Sequence, residues 1–183
     1  MSREETAKTR QRIVDAASAE FRKQGIAATG LAELMGAAGM THGGFYRHFK
    51  SKNELVAETT AAAAQRLKTS WISTASQGGI KSVVERYLSI THRDHPEHGC
   101  HLAALGSELA NADKKTRHAA TCGLNAMIDV VAELTGERKP EVARERALAA
   151  VATLVGAITL ARVVDDPKLS KAILRSAKAS VTI

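Results

Sequence analysis

A chain of 183 residues with 44% hydrophobic side chains is long enough for one large or two small domains with a proper core. Only 3% is aromatic, so much of that core must be Ala, Leu and Val, which favours closely packed helices and an all-α fold. The net charge of +7 suits a polyanionic partner, while two cysteines make no disulfide scaffold. The polar N-terminus has no apolar signal core, and no run approaches the roughly 20 uncharged apolar residues of a membrane span. The expected setting is cytoplasmic, without a membrane, with the thiols of Cys100 and Cys122 free.

Glu4 to Gln24 reads as a first helix. Ile13, Ala16, Ala17 and Phe21 make its apolar stripe, other faces carry Lys8, Arg12, Arg22 and Lys23, and Gly25 ends it. After a short link, Thr29 is placed to cap a second helix, on which Leu31, Leu34, Met35 and Ala38 share one face. Gly39 suits its end, because a residue without Cβ takes positive φ. Thr41 then caps a short third helix, about His42 to His48. Phe45 and Phe49 lie four apart on one side of it, leaving Tyr46, Arg47 and His48 to point elsewhere. Four of the six aromatics (Phe21, Phe45, Tyr46, Phe49) fall in the first fifty residues, so this region has an aromatic-centred core of its own. Residues 1–52 also hold nine Lys/Arg against five Asp/Glu, a basic surplus beside the two-helix turn. A short helix presenting Thr, His, Tyr and Arg to solvent reads as a reader of DNA.

Ser51-Lys-Asn-Glu54 is a capping box and opens a helix through Leu55, Ala61–Ala64, Leu67 and Trp71 to Gln77-Gly78-Gly79. Further helices are expected over Ile80–Arg93, about His101–Asn111, and from an Asp113 cap through Leu134. Pro140 sits near the first position of a long helix to about Val164, and Asp166-Pro167 opens the last one. Beyond Arg146 the long helix is apolar on nearly all faces, with Ala147, Leu148, Val151, Leu154, Val155, Ile158 and Leu160. A helix apolar all round is covered on all sides. A partner subunit over one face is the simplest cover, with burial inside the monomer as the alternative.

Taken together, Leu34-Met35, Ala38-Gly39-Met40-Thr41, Gly43, Phe45-Tyr46-Arg47-His48-Phe49 and Ser51-Lys52-Asn53-Glu54-Leu55 resemble the DNA-binding domain of TetR-family transcriptional regulators, without a gap, over about 50 residues. Met40 and Thr41 stand for the usual Val and Ser, Met35 for the commoner Ala, and Gly30 where Ser or Thr is frequent. The resemblance implies an all-α protein: a three-helix helix-turn-helix domain over 1–52, with the motif at 29–48, and a larger helical ligand-binding and dimerisation domain over 53–183. It implies a homodimeric repressor, not an enzyme, released from a double-stranded DNA operator by an unknown small molecule. The dimer would form through helices at about 139–165 and 167–180.

On that resemblance the third helix enters the major groove and the second braces across the backbone. His42, Gly43, Gly44 and Arg47 are then candidates for base edges. Tyr46, His48 and Lys52 are candidates for phosphate, and Thr29 and Thr41 offer hydroxyls or helix-start amides to it. Arg10 and Arg12 either reach the backbone or stay solvated. Candidates for an effector pocket are Trp71, Tyr87, His92, Cys100, Leu102, Leu105, Met127 and Val131, each of which equally suits plain core packing.

His92, His95, His98, Cys100 and His101 crowd one stretch, in spacing that matches no zinc module, so no metal or other cofactor is assigned. A loop of surface histidines is one reading. The alternative is a thiol- or metal-responsive regulator using Cys100 and the His92–His101 loop, with Cys100 activated by cationic neighbours. A metal-dependent enzyme is the remaining opening, since no Ser-His-Asp arrangement, paired carboxylates or phosphate loop can be traced.

Overall fold

The computed structural model describes residues 3–181, and they form helices without a strand among them. In chain order these are α1 (Arg3–Gln24), α2 (Leu31–Ala37), a 3-10 helix (His42–Arg47), α3 (Lys52–Tyr87), α4 (Ile90–Asp94), a 3-10 turn (Pro96–His98), α5 (His101–Ala110), α6 (Lys114–Leu134), α7 (Pro140–Val163) and α8 (Pro167–Ser180).

Two apolar cores organise them. The first joins Ile13, Val14, Ala17 and Phe21 of α1, Leu34 and Met35 of α2, Phe45 and Phe49, and Leu55 and Val56 of α3. Leu105 and Leu109 of α5 close it from the other side, so the N-terminal helices rest on the body. The second core lies among α3, α6, α7 and α8, around Trp71, Val84, Met127, Val131, Leu154, Ile158 and Leu174.

Local chemistry accounts for the ends. α2 closes in a Schellman arrangement: Met40 N–H donates to Met35 O at 2.8 Å and Gly39 N–H to Gly36 O at 2.9 Å, with Gly39 at φ +69. Ser51 Oγ accepts the Glu54 N–H at 3.2 Å while Glu54 accepts the Lys50 N–H at 2.7 Å, a near-reciprocal cap on α3. Asp113 and Asp166 cap α6 and α8 through their carboxylates, and Pro140 and Pro167 sit in the first turns of α7 and α8.

Three expectations change. Thr29 does not cap α2; Gly30 holds that position without a side-chain bond, and the Thr29 hydroxyl turns back to donate to Gly25 O at 2.6 Å. The segment after Thr41 is a 3-10 helix, tighter than an α-helix, and Thr41 makes no side-chain cap bond there. The helix read over Ile80–Arg93 breaks at Leu88, because the Ser89 hydroxyl accepts the His92 N–H and starts α4 afresh.

The break at Gly78-Gly79 is present as a kink inside α3, with Gly79 at φ +61 and ψ −156. α7 is apolar and long enough by composition to cross a membrane, but one stripe of it (Ala147, Val151, Leu154, Ile158) is buried in the second core. Its other side leaves Leu148, Leu160 and Val163 exposed, continued by Leu169 of α8.

The Gly79 conformation belongs to a region that only glycine occupies readily, so Gly79→Ala should lower unfolding stability by about 1–3 kcal/mol. Gly36, in helical α2 with open space where a Cβ would go, is the contrasting site. Gly36→Ala should raise stability by up to about 1 kcal/mol. Urea denaturation midpoints of the two variants check both signs.

Candidate nucleic-acid interface and interior cavity

The 3-10 helix is held by what it buries. Phe45 and Phe49 are 0% and 1% exposed, their rings stacked with centroids 5.6 Å apart. The Arg10 guanidinium lies 4.2 Å above the Phe49 ring, donates to His48 O at 3.3 Å and forks onto Glu58, at 2.6 Å for one of its two bonds. Arg10 is thereby committed inside the protein, while Arg12 stays exposed.

With that side buried, Thr41, His42, Gly43, Tyr46 and Arg47 all stand on the outer surface, Tyr46 at 67% exposure. A Cβ on Gly43 would meet open space, whereas one on Gly44 would touch Met35 and Met40 at ordinary contact distance. His48 is half-buried and its Nδ1 is buried without a partner.

Two candidates turn inward. Thr29 is fully buried, so its hydroxyl faces no phosphate. The Lys52 ammonium donates to Ile26 O at 2.5 Å and Thr29 O at 2.7 Å, tying the start of α3 to the loop before α2. Both residues shape the reader from within. The sequence signal at these positions came with the family pattern and did not separate frame from surface.

Further along, a cavity of about 540 Å³ opens where the kinked α3, α4 and the start of α5 meet. Trp71, Tyr87, His92 and Cys100 line it, together with Leu67, Ser70, Thr74, Val83, Arg86, Ser89, Thr91, His95, His98 and Gly99. Leu67, Trp71 and Thr74 are spaced by 4 and 3, a helical face that was available in the sequence. The other candidates lie elsewhere. Leu105 belongs to the first core, Met127 and Val131 to the second, and Leu102 borders a separate groove between α5, α6 and α7.

The histidine-rich stretch does not converge on a point. His92 Nδ1 faces Tyr87 O at 2.6 Å and His92 Nε2 accepts the Cys100 N–H at 3.0 Å, which assigns the neutral ring with Nδ1 protonated. His95 and His98 are exposed at the cavity mouth, and His101 is buried with neither ring nitrogen partnered. Among the described residues no three His, Cys, Asp or Glu side chains are placed to share a metal ion. Cys100 is fully buried, and desolvation pushes its thiol up rather than down. The activated-thiol and metal-cluster readings therefore lose their geometry.

Two bonds unseen in sequence tie this region to the N-terminal helices. Arg22 of α1 donates through Nε to Glu97 O at 3.0 Å, on the turn between α4 and α5. Burial, then the neighbouring Arg66, bring the Arg22 pKa down to about 10. Glu108 of α5 accepts the Ala27 N–H at 2.8 Å.

Residues 13–59 match the family model for bacterial regulatory proteins of the tetR family, and residues 76–177 match the LmrA/YxaF-like transcriptional regulator C-terminal domain. The chain belongs to the TetR family. The TetR-type N-terminal segment is 44% identical over 57 residues to the regulator AcrR of Shigella flexneri, a match covering 31% of this chain and 26% of that one. An HTH-type transcriptional regulator of Mycobacterium tuberculosis is 27% identical over 168 residues, 86% of each chain. A TetR regulator from Chloroflexus aurantiacus superposes with a TM-score of 0.78 at 25% identity, covering 97% of this chain and 94% of that one. Reduced NemR of Escherichia coli shares the fold at a TM-score of 0.77 and 19% identity, over 96% and 95% of the two chains. The chain is thus a transcriptional regulator with a helix-turn-helix DNA-binding part.

Burial lowers the pKa of His101, and likewise of His92, from 6.5 to about 4. As pH falls below about 6.5 the unfolded chain takes up these protons first, so folded stability drops progressively down to about pH 4. His101, being almost wholly buried, should contribute on the order of 1–3 kcal/mol to that loss. Chemical denaturation from pH 7 to pH 4 should show a shallower decline in His101→Leu than in the unaltered chain.

Proposed function

We propose that the chain is a homodimeric repressor that leaves its DNA operator when a small molecule fills the cavity of about 540 Å³. Residues 1–52 act as the reader and 53–183 as the effector-binding and dimerising part. The observation that carries the reading is the sorting of one short turn. Phe45 and Phe49 are sealed in the core while His42, Gly43, Tyr46 and Arg47 stand bare on one surface.

In this reading His42, Gly43, Gly44 and Arg47 approach base edges, and Tyr46, His48 and Thr41 approach phosphate. Thr29 and Lys52 hold the frame. The exposed apolar strip of α7 and α8 (Leu148, Leu160, Val163, Leu169) supports a two-fold pairing of those helices. Such a dimer sets two readers on half-sites roughly 34–36 Å apart.

Support for ligand response comes from α3. Its first turn is bonded to the reader through Lys52, and its later turns supply Leu67, Trp71 and Thr74 to the cavity wall. From Lys52 to Trp71 the helix spans about 28 Å at 1.5 Å per residue. A ligand that fits one tilt of α3 better than another shifts the readers, with a typical coupling of about 1–3 kcal/mol.

DNA recovered from a random pool by the purified chain supplies the probe for two checks. In anisotropy titrations at fixed salt, Tyr46→Ala and Arg47→Ala should each weaken binding by about 1–3 kcal/mol while folding as before. Unchanged affinity in both would remove the assigned interface. Leu160→Asp should sediment as a monomer at micromolar concentration and lose tight DNA binding; a dimer that persists in this variant would overturn the α7–α8 pairing.

A further inference from the structure

The cavity separates its polarity by depth. Its inner wall is made of Trp71, Val83, Tyr87 and Cys100, none more than 4% exposed. Its mouth is cationic or imidazole-bearing, with Arg86, His95 and His98 all exposed to water. No Asp or Glu is among the lining residues. Arg86 donates to Thr74 Oγ1 at 3.1 Å, across the kink, and forms no ion pair among the described residues. Its guanidinium therefore keeps free donors facing the opening.

Behind the wall the sign is the same. Arg162 of α7 donates to Arg93 O at 3.0 Å and His92 O at 2.6 Å; among the described residues it has no carboxylate partner, and its Nη1 is buried without any partner. α5 begins just after Cys100 in the wall, so the positive end of that helix lies there too. The Tyr87 hydroxyl, on a residue 3% exposed, is buried with no oxygen or nitrogen partner and lies beside the Cys100 thiol. On the mouth loop the Glu97 carboxylate faces His95 at 3.2 Å and His98 at 3.9 Å.

An apolar interior, a cationic mouth and no competing acid in the lining fit one ligand class. We propose that the cavity binds a small amphipathic organic acid, its apolar body between Trp71, Val83 and Tyr87 and its carboxylate at the mouth against Arg86. The carboxylate then keeps part of its hydration, and the planar fork of Arg86 matches it in a way a single ammonium does not. A cationic amphiphile of the same size meets the Arg86 guanidinium there and no lining carboxylate to offset it. This assignment rests on the cavity being the effector site.

The test uses three probes on one skeleton: 4-phenylbutyrate, 4-phenylbutyramide and 4-phenylbutylammonium. Trp71 is the only tryptophan in the chain and stands in the wall, so its emission reports filling, with calorimetry as the second readout. Phenylbutyrate should bind at least about tenfold more tightly than the amide, and the ammonium most weakly. Arg86→Gln should bring the acid's affinity down to that of the amide and leave the amide unchanged. Amide or ammonium binding as tight as the acid, or an acid-to-amide ratio untouched in Arg86→Gln, overturns the charge assignment while the cavity remains an effector site. No heat and no emission change with any of the three up to millimolar concentration overturns the cavity as the site as well. Arg86→Lys should restore part of the preference for the acid, and no restoration at all would count against recognition by charge.

Discussion

The stack of Arg10 on Phe49 is the contact on which the reader's geometry depends. It joins α1 to the turn carrying Tyr46 and Arg47, and the same guanidinium reaches Glu58 and, at 3.5 Å, Glu54 in the first turns of α3. One side chain thus touches two of the helices that fix the turn's position, and the turn itself. The pairs are partly exposed, so their net contribution to stability is modest. Their value is directional, because a planar fork over a ring and against carboxylates admits few orientations. The 3-10 helix has poor hydrogen-bond geometry by itself and needs such external fixing.

A body built from small residues makes a second constraint. A Cβ on Gly123 of α6 would sit 2.7 Å from the Ala64 Cβ of α3, so this crossing exists only because one partner is glycine. That close approach lets α3 run straight from the reader into the body before the Gly78-Gly79 kink turns it. The kink then lays Val83, Arg86 and Tyr87 opposite Leu67, Trp71 and Thr74, and the space between them is the cavity. Few aromatics remain to fill it, which agrees with a chain only 3% aromatic.

Much of the fold was legible because its signals are local. Caps at Ser51, Asp113 and Asp166, the glycine after α2, and prolines at the starts of α7 and α8 each act within a few residues of themselves. The buried pair Phe45 and Phe49 was equally plain, four residues apart on one face. What escaped were roles decided by distant partners. Thr29 and Lys52 stand in a DNA-binding pattern yet point inward, because the carbonyls of Gly25, Ile26 and Thr29 lie within their reach. His92 to His101 look like one cluster in sequence. In space they part: His95 and His98 stand together over Glu97 at the surface, His92 is bonded between Tyr87 and Cys100, and His101 is buried on α5. Arg86 gave no signal at all, since its importance follows from which wall the kink places it in.

The turn Pro96–His98 unites the two ends of the proposed mechanism. His98 on it and His95 just before it stand at the cavity mouth, and the Glu97 carbonyl on the same turn accepts a bond from the Arg22 guanidinium of α1. Any occupant that displaces the mouth therefore works against a charge-assisted bond to the reader, in addition to pressing on α3. The two routes differ in kind. α3 is a rigid element loaded along its length, whereas the Arg22 bond depends on a few atoms of a loop. A ligand gains leverage only from contacts that differ between the two arrangements. A carboxylate at the mouth is placed to make such contacts, because the side chains it meets there sit on the kinked arm of α3 and on the turn that holds α1. On the proposed mechanism, an apolar body among Trp71 and Tyr87 loads α3 directly, and the head group at the mouth adds the second route.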